Sequence, residues 1–310
     1  MIFKDKNYWA LILGGSSGFG LATAQKLATM GMNIMIVHRD RRGAMKRIEP
    51  EFDKIRENGV GFHAINTNAL SAEGRAEVLD KASEVMQGGG IRVLLHSIAL
   101  GNLKLIAPMK DEGERSLARL AESLGIKPEG LQTAVDELFE AGAADLVHLA
   151  SKPAYNNQQF SGEEDFSSTI YNMGTSIVSW VQEALSRQLF AEDARVLGLT
   201  SEGNEIAWRG YASVAAAKTA LESVSRAMAV EMAPHGIRSN ILQPGVTDTP
   251  ALRLIPGSTH MKANARLRNP FRRLTTPEDV AGVVGLLSQD EAGWINGTII
   301  RVDGGEHISG

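Results

Sequence analysis

The sequence predicts an α/β fold built on a doubly wound parallel sheet of about seven strands, with a helical insertion after the fourth strand. Short apolar runs alternate with amphipathic segments through the first hundred residues, and this alternation returns after residue 160. The apolar runs, such as ALIL and IMIV, are unbroken, which is typical of strands covered on both faces. No repeat and no proline- or serine-rich linker divides the chain, so we expect one domain over residues 1–310.

The expected strands follow the order of the apolar runs and are Trp9–Leu13, Asn33–His38, Gly61–Ile65, Arg92–Leu95, Arg195–Leu199, Ile237–Leu242 and Thr298–Val302. Amphipathic spacing predicts helices between them over Leu21–Met30, Ala44–Arg56, Ala72–Met86, Asp165–Phe190 and Tyr211–Ala233. The links between these elements are short, and strand–helix–strand units of this kind join parallel strands by right-handed crossovers.

Residues 101–160 interrupt the alternation. Lys110–Leu124 and Pro128–Ala141 have the spacing of two amphipathic helices, and a polar loop is expected over Asn156–Asp165. The stretch leaves the fourth strand at the carboxyl edge of the sheet, where open α/β folds bind ligands. We therefore expect it to form a small helical cap over or beside the substrate site.

Composition and charge exclude several classes of protein. The chain has 32 lysines and arginines against 36 acids, a net charge of −4, so we expect no attraction to nucleic acid or to an anionic membrane. It has no cysteine, and its seven histidines show no metal-ligand spacing, so we expect neither a thiol nucleophile nor a metal site. No apolar run approaches the roughly 20 residues that span a bilayer, and no signal-peptide cleavage site is present. We expect a cytoplasmic protein.

A glycine-rich turn follows the first strand. Glycines permit positive φ angles and a close approach of the backbone to a ligand. The N-terminus of the next helix offers free N–H groups and a partial positive charge to a pyrophosphate. Such a turn between a strand and a helix predicts a dinucleotide site. The residues expected to form it are Gly14, Ser16, Ser17, Gly18, Phe19 and Gly20.

The spacing of Gly14, Gly18 and Gly20 resembles that of the short-chain dehydrogenase/reductase family. Three further segments resemble the family in the same order along the chain: Asn240–Thr249, Pro277–Val280 and Asn296–Gly305. The resemblance spans nearly everything except residues 101–160. It implies a Rossmann-like fold, an NAD(P)-dependent oxidoreductase and a homotetramer.

The resemblance also implies the remaining cofactor contacts. Arg39 stands where an arginine selects NADP, which favours NADP(H). Asp40 lies about where an acid would bind the ribose hydroxyls of NAD, so NAD(H) remains possible. Asn68 falls at the position that contacts adenine in the family. Further contacts are implied for Ser97, Ile98, Ala99, Lys218, Pro244, Gly245, Val246, Thr247 and Thr249.

Tyr211 and Lys218 are the candidate catalytic pair. Carbonyl-reducing members of the family have tyrosine four residues before the lysine, but here this position is Val214, which cannot donate a proton. Seven helical residues cover on the order of 10 Å and keep both side chains on nearly one face. In an enoyl thioester the carbon that accepts hydride lies several atoms from the oxygen on which charge develops, so a more distant tyrosine suits it. This spacing is the pattern of the enoyl-acyl-carrier-protein reductase branch.

The turn after the fourth strand, His96–Ala99, resembles the His-Ser-Ile-Ala/Gly turn of the same branch. The resemblance implies that Tyr211 stabilises the enolate oxygen and can donate a proton. It implies that Lys218 holds the nicotinamide ribose while its charge lowers the tyrosine pKa. Ser201 stands where enoyl reductases commonly carry a second tyrosine and can donate a hydrogen bond. Asn172 is a candidate for the family's water-relay asparagine, although the sequence favours an ordinary asparagine on a helix surface.

The predicted reaction is reduction of the C2=C3 double bond of trans-2-enoyl thioesters in fatty acid synthesis. Residues 250–276 contain no acid but six cations, which suits an acidic acyl carrier protein, the phosphates of coenzyme A, or simply a solvated or subunit-facing loop; they are Arg253, Lys262, Arg266, Arg268, Arg272 and Arg273. One alternative is a carbonyl reductase acting on 3-oxoacyl thioesters or another ketone. Another is a non-catalytic dinucleotide-binding sensor.

Overall fold

The computed structural model describes residues 1–110 and 115–309. Within them, a sheet of seven parallel strands is formed by β1 Tyr8–Leu13, β2 Asn33–His38, β3 Phe62–Asn66, β4 Gly90–His96, β5 Phe190–Leu199, β6 Ile237–Pro244 and β7 Ile299–Val302. Their spatial order is β3-β2-β1-β4-β5-β6-β7, so the chain winds outward in both directions from the β1–β4 pair. The predicted doubly wound parallel sheet is confirmed.

The helices of the described residues are α1 Gly18–Thr29, α2 Met45–Arg56, α3 Ala72–Val85, α4 Arg115–Leu124, α5 Pro128–Glu140, α6 Glu163–Ile170, α7 Ser176–Ser186, α8 Ala212–Glu231, α9 Pro250–Arg253, α10 Ser258–Arg268 and α11 Pro277–Leu287. None of them combines the length and the apolar character that crossing a bilayer requires.

Both faces of the sheet are covered by helices. Successive strand residues point to opposite faces, so Ile12 and Ile36 pack with α1, α2 and α11, whereas Leu11 and Met35 pack with α3, α7 and α8. All four of these side chains are fully buried. This double burial explains why the strands are apolar at consecutive positions instead of alternating with polar residues.

The predicted helix over Asp165–Phe190 is wrong in two respects. A π-helical turn over Tyr171–Thr175 separates α6 from α7, and α7 ends at Ser186. Gln188 has a φ of 57°, which is outside the right-handed helical region and lets the chain turn back toward the sheet. Strand β5 therefore begins at Phe190, whereas the apolar run predicted that it would begin at Arg195.

The insertion contains the two expected helices, α4 and α5, although the predicted start of the first falls on residues 111–114, outside the described ranges. A parallel bridge between Leu105 and Phe160 joins the two ends of the insertion. The polar loop expected over Asn156–Asp165 ends early, because α6 begins at Glu163. The insertion helices share a small apolar core with α10 that consists of Leu117, Val135, Phe139, Val147, Ala150 and Ala263.

A cluster of arginines ties the end of α11 to the sheet. Arg92 of β4, Arg195 of β5 and Arg238 of β6 all pair with the carboxylate of Asp193, with the Arg92 Nη1–Oδ2 distance at 2.6 Å and the Arg195 Nη1–Oδ1 distance at 2.5 Å. The Arg92 Nε donates to the carbonyl of Ser288, and the Arg195 Nε donates to that of Leu287, each at 2.9 Å. Burial alone would raise the pKa of Asp193, but the two buried guanidiniums outweigh it and lower the pKa.

We expect Asp193→Asn to reduce the free energy of unfolding by about 3 kcal/mol, because two buried guanidiniums would lose their shared counter-charge. Since folding lowers the pKa of this carboxyl, its contribution is present above the pKa of an unfolded aspartate, about 4, and is lost as the pH falls below it. Urea unfolding at neutral and acidic pH measures both effects. The matched control is Asp80→Asn, since Asp80 is 73% exposed in its pair with Arg187 and should contribute less than about 1 kcal/mol. Equal losses in the two variants would contradict this account of the cluster.

Candidate active site

A cavity of about 670 Å³ opens at the carboxyl edge of the sheet, where the chain leaves β1 and β4 in opposite directions. Such a divergence leaves a crevice in open α/β sheets. The residues that the sequence predicts for cofactor binding or catalysis line this cavity, with the exception of Gly20 and of the relay candidate Asn172. The fold thus brings the predicted residues together, while their individual roles stay predictions.

The glycine-rich turn forms one wall of the cavity. Gly14 has a φ of 87°, and a Cβ built on it would lie 2.6 Å from the carbonyl oxygen of Ser97. A Cβ on Gly20 would lie 2.1 Å from the carbonyl oxygen of Gly14, so Gly20 lets α1 pack against the turn instead of facing the cavity. Helix α1 begins at Gly18, which places its first-turn N–H groups beside this wall. The turn therefore has the close backbone and the free helix N–H groups that suit a dinucleotide pyrophosphate.

The residues after β2 form the rim of the cavity. The carboxylate of Asp40 lies 3.0 Å from His38 Nδ1, and Asn66 holds the Asp40 backbone through hydrogen bonds to both its N–H and its carbonyl. Arg39 is exposed at this rim. Asp40 therefore already has a partner in the protein, whereas the guanidinium of Arg39 stands at the cavity edge. Asn68 also lines the cavity, and its side-chain oxygen accepts a hydrogen bond from the N–H of Leu70 at 3.2 Å.

Tyr211 and Ser201 meet inside the cavity, with their hydroxyl oxygens 3.3 Å apart. Tyr211 stands at the N-terminus of α8, and Gly203 makes room for its ring, since a Cβ there would lie 2.5 Å from Tyr211 Cε1. Burial raises the pKa of Tyr211, and the hydrogen bond with Ser201 opposes this only in part. Lys218 is not among the causes of this shift, so the lowering of the tyrosine pKa that the resemblance implies stays a prediction. The phenol stays protonated near neutral pH and can act as a donor.

Lys218 is buried two turns further along α8, and its Nζ donates to the carbonyl of Leu199 at 2.8 Å. Burial lowers the pKa of Lys218 to about 8, although Glu222 opposes this shift. Glu222 lies one helical turn after Lys218 and accepts hydrogen bonds from Thr200 Oγ1 and from Asn204 Nδ2. Sequence reasoning missed Glu222, although a carboxylate four residues after the lysine was a readable signal.

His96 lies behind the cavity. It is buried, its Nε2 lies 2.9 Å from Ser176 Oγ, and that hydroxyl in turn lies 3.1 Å from the carbonyl of Asn172. Burial and the charge of Lys218 lower the pKa of His96 to about 3, so the imidazole is neutral at physiological pH. It orients the turn after β4 and supplies no proton. The side chain of Asn172 donates to the carbonyl of Leu100 at 3.2 Å, which ties it to the chain just after this turn, and its part in a proton relay stays a prediction.

The outer half of the cavity is apolar, and sequence reasoning did not identify its wall. The wall combines the start of the insertion, the π-helical turn, the residues around Tyr211 and the cover formed by α9 and α10; its side chains include Leu103, Met173, Trp208, Val214, Leu252, Ile255 and Met261. Val214, in the position of a carbonyl-reductase tyrosine, packs in one buried cluster with Met173 and Ala217. An apolar wall of this kind suits a hydrocarbon chain.

The basic cover expected from the sequence is largely neutralised. Arg253 and Lys262 pair with Asp248, and Arg268 pairs with Glu202 and Glu306. Arg273 pairs with Asp279 at 2.6 Å. The acids all lie outside residues 250–276, so the segment's lack of acids does not translate into a bare positive surface. Its charge is therefore a weak argument for docking an acidic carrier protein.

At the level of class, this fold and cavity are those of an α/β oxidoreductase. A family model for short chain dehydrogenases matches residues 8–120, and a second, described as enoyl-(acyl carrier protein) reductase, matches residues 129–307. The chain belongs to the short-chain dehydrogenase/reductase family.

Named relatives cover nearly the whole chain at low identity. The cis-4-hydroxycyclohexanecarboxylate dehydrogenase of Sinomonas cyclohexanicum is 25% identical over 298 residues, 96% of this chain and 95% of the relative. A probable 2,4-dienoyl-CoA reductase of Bacillus subtilis is 25% identical over 304 residues, 96% of each chain. The structure of an enoyl-(acyl-carrier-protein) reductase from Anaplasma phagocytophilum with NAD has a TM-score of 0.69 at 17% identity, over 100% of this chain and 95% of that one. At this identity, the similarity to the Anaplasma structure shows a shared fold alone.

We expect dinucleotide affinity to be constant at neutral pH and to weaken as the pH rises through about 8, because the buried Lys218 ammonium then loses its proton. Nicotinamide fluorescence titrations across this pH range measure the dissociation constant. Lys218→Arg keeps its charge throughout the range and should remove the decline. If both proteins weaken in parallel, a group other than Lys218 governs the pH dependence.

Proposed function

We propose that this protein uses NAD(P)H to reduce the C2=C3 double bond of trans-2-enoyl thioesters in fatty acid synthesis. One observation carries the proposal. The phenol that enters the cavity is that of Tyr211, two helical turns from Lys218, while position 214 holds an apolar valine. The apolar wall beside Tyr211 supports an acyl chain as the substrate.

The chain's own residues divide the work of this reaction. The turn at Gly14–Phe19 would hold the pyrophosphate, and Lys218 the nicotinamide ribose. When bound, the reduced nicotinamide supplies hydride to C3 of the substrate. The Tyr211 hydroxyl donates a hydrogen bond to the thioester oxygen, where negative charge develops as C3 is reduced, and a proton from the phenol or from solvent then adds to C2 to complete the reduction. Its raised pKa keeps the proton on the phenol until that charge appears, and Ser201 supports the phenol through their hydrogen bond.

The position of the donor argues for an alkene over a ketone. In a ketone, the carbon that takes hydride carries the oxygen that takes the proton, so the donor must stand close to the nicotinamide. In an enoyl thioester the oxygen on which charge develops is bonded to C1. It therefore lies several atoms from C3, the carbon that takes hydride. Tyr211 lies at the N-terminus of α8, a full turn beyond Val214, and so farther from Lys218 along the helix.

Carbonyl reduction is the second candidate function. Ser201 lies within hydrogen-bond distance of Tyr211, and a serine–tyrosine pair could bind a ketone oxygen. The dehydrogenase name of the Sinomonas relative fits this alternative. A non-catalytic sensor would need neither a buried phenol nor a buried ammonium in the cavity, and burying both costs free energy.

We propose NADP(H) as the preferred cofactor and regard NAD(H) as the alternative. Arg39 stands at the cavity rim with a guanidinium suited to a 2′-phosphate, and Asp40 is engaged by His38. We also propose a homotetramer, as the resemblance implies, and a cytoplasmic location, as the composition of the chain suggests. Exposed apolar side chains near the end of α8 support association with further copies, among them Trp294, which is 97% exposed, and Val230.

Turnover of crotonyl and acetoacetyl thioesters, each on coenzyme A and on acyl carrier protein, tests the reaction by nicotinamide absorbance. We expect the crotonyl thioesters to be reduced, and Tyr211→Phe to lower kcat about 10²- to 10³-fold with little change in dinucleotide affinity. The matched control is Tyr171→Phe, which removes a hydroxyl that donates to the carbonyl of Leu70. Oxidation of NAD(P)H with the ketone substrate alone would overturn the proposal in favour of carbonyl reduction.

Arg39→Ala tests the choice of cofactor. We expect the affinity for NADPH to fall about tenfold, because a charge-assisted contact to the 2′-phosphate is lost, while the affinity for NADH is nearly unchanged. Parallel titrations with the two dinucleotides measure this ratio, and Arg47→Ala, a change in the neighbouring helix α2, serves as control. An unchanged NADPH/NADH ratio in Arg39→Ala would show that Arg39 does not select the cofactor.

A further inference from the structure

Glu306, near the C-terminus, is 1% exposed and sits against the loop that follows β6. Its carboxylate accepts hydrogen bonds from the N–H of Val246 at 3.3 and 3.2 Å. The carboxylate packs closely against this loop, since a Cβ on Gly245 would lie 2.7 Å from Glu306 Oε2. Gly245 and Val246 both line the cavity, so a residue from the end of the chain holds the backbone of a cavity wall.

Arg268, the last residue of α10, connects Glu306 to a second wall. Its Nη2 lies 3.1 Å from Glu306 Oε1 and 2.5 Å from Glu202 Oε1. Glu202 follows Ser201 directly and lines the cavity. A single guanidinium therefore joins the cover helix, the loop of Ser201 and, through Glu306, the loop after β6.

These three side chains depend on one another electrostatically. Burial raises the pKa of Glu306, while the N–H of Val246 and the charge of Arg268 oppose this shift. Glu202 is also largely buried, and the ring of His307 lies beside it, with Nδ1 3.5 Å from Glu202 Oε2. Without Arg268, two poorly solvated carboxylates would face each other, and the loops that carry them would separate.

We propose that Arg268 and Glu306 are positioning residues that clamp the cover helix α10 and the loop Gly245–Thr249 around the bound dinucleotide. The proposal rests on the proposed function only in that the cavity binds NAD(P)(H). The proposal assigns the C-terminal segment a part in shaping the site. Both residues would act through the loops that they hold and not by contact with the reacting atoms.

Fluorescence titration of NADPH and NADH without any thioester tests the clamp independently of the reaction. We expect Arg268→Gln and Glu306→Gln each to weaken dinucleotide binding about tenfold, as the loss of a buried charge-assisted hydrogen bond implies. The double variant should bind no more weakly than Arg268→Gln alone, because both changes break one unit. Arg268→Lys should recover part of the affinity, since it restores the charge without the fork.

Arg273→Gln is the matched control, because Arg273 belongs to the same cover segment but pairs with Asp279 at the surface. It should bind like the wild type. The clamp is refuted if Arg268→Gln and Glu306→Gln bind dinucleotide within twofold of the wild type, or if the control weakens equally. If Arg268→Gln fails to fold, as thermal unfolding would show, Glu306→Gln and Arg268→Lys decide by the same criterion. A wild type that binds neither dinucleotide would instead refute the proposed function.

Discussion

The close approach of Gly14 to the backbone of Ser97 is the contact on which the site depends. The N–H of Ser97 donates to the carbonyl of Leu13 at 2.8 Å, and the carbonyl oxygen of Ser97 lies only 2.6 Å from where a Cβ on residue 14 would be. This contact joins the ends of β1 and β4 at the point where the chain winds in opposite directions. Because both turns are fixed there, the glycine-rich turn after β1 and the turn after β4 face the same cavity. The other residues that line the cavity are placed relative to these two turns.

Burial acts in opposite directions on the two proposed catalytic side chains. It favours the neutral form of each, so it raises the pKa of Tyr211 and lowers that of Lys218. The phenol consequently keeps its proton, while the charge of Glu222 opposes the effect of burial on Lys218, whose Nζ also donates to the carbonyl of Leu199. The family resemblance implies that the lysine lowers the pKa of the tyrosine, and that effect stays a prediction.

The sequence was sufficient to predict the sheet and the glycine-rich turn, because both depend on patterns of neighbouring residues. The order of short β-rich runs located all seven strands, several of them as unbroken apolar runs, and the glycine spacing located the turn. The start of β5 was missed because Gln188 adopts a φ that its residue type does not signal. The apolar wall and the ion pairs of the cover were missed because they join residues far apart in the chain. Asp248, for example, neutralises Arg253 and Lys262 from outside the acid-free segment, and only the folded chain shows this.

The insertion acts on the cavity through the cover helix. Helix α10 places Met261 in the cavity wall and Ala263 in the apolar core of the insertion, and the ring of His260 lies 4.8 Å from that of Phe139. Burial lowers the pKa of His260, so this contact is between two uncharged rings at neutral pH. One face of α10 therefore packs against the insertion, and its last residue, Arg268, pairs with Glu202 and Glu306. The shape of the apolar part of the cavity consequently depends on residues 101–160, most of which lie within the spans that the two family models match.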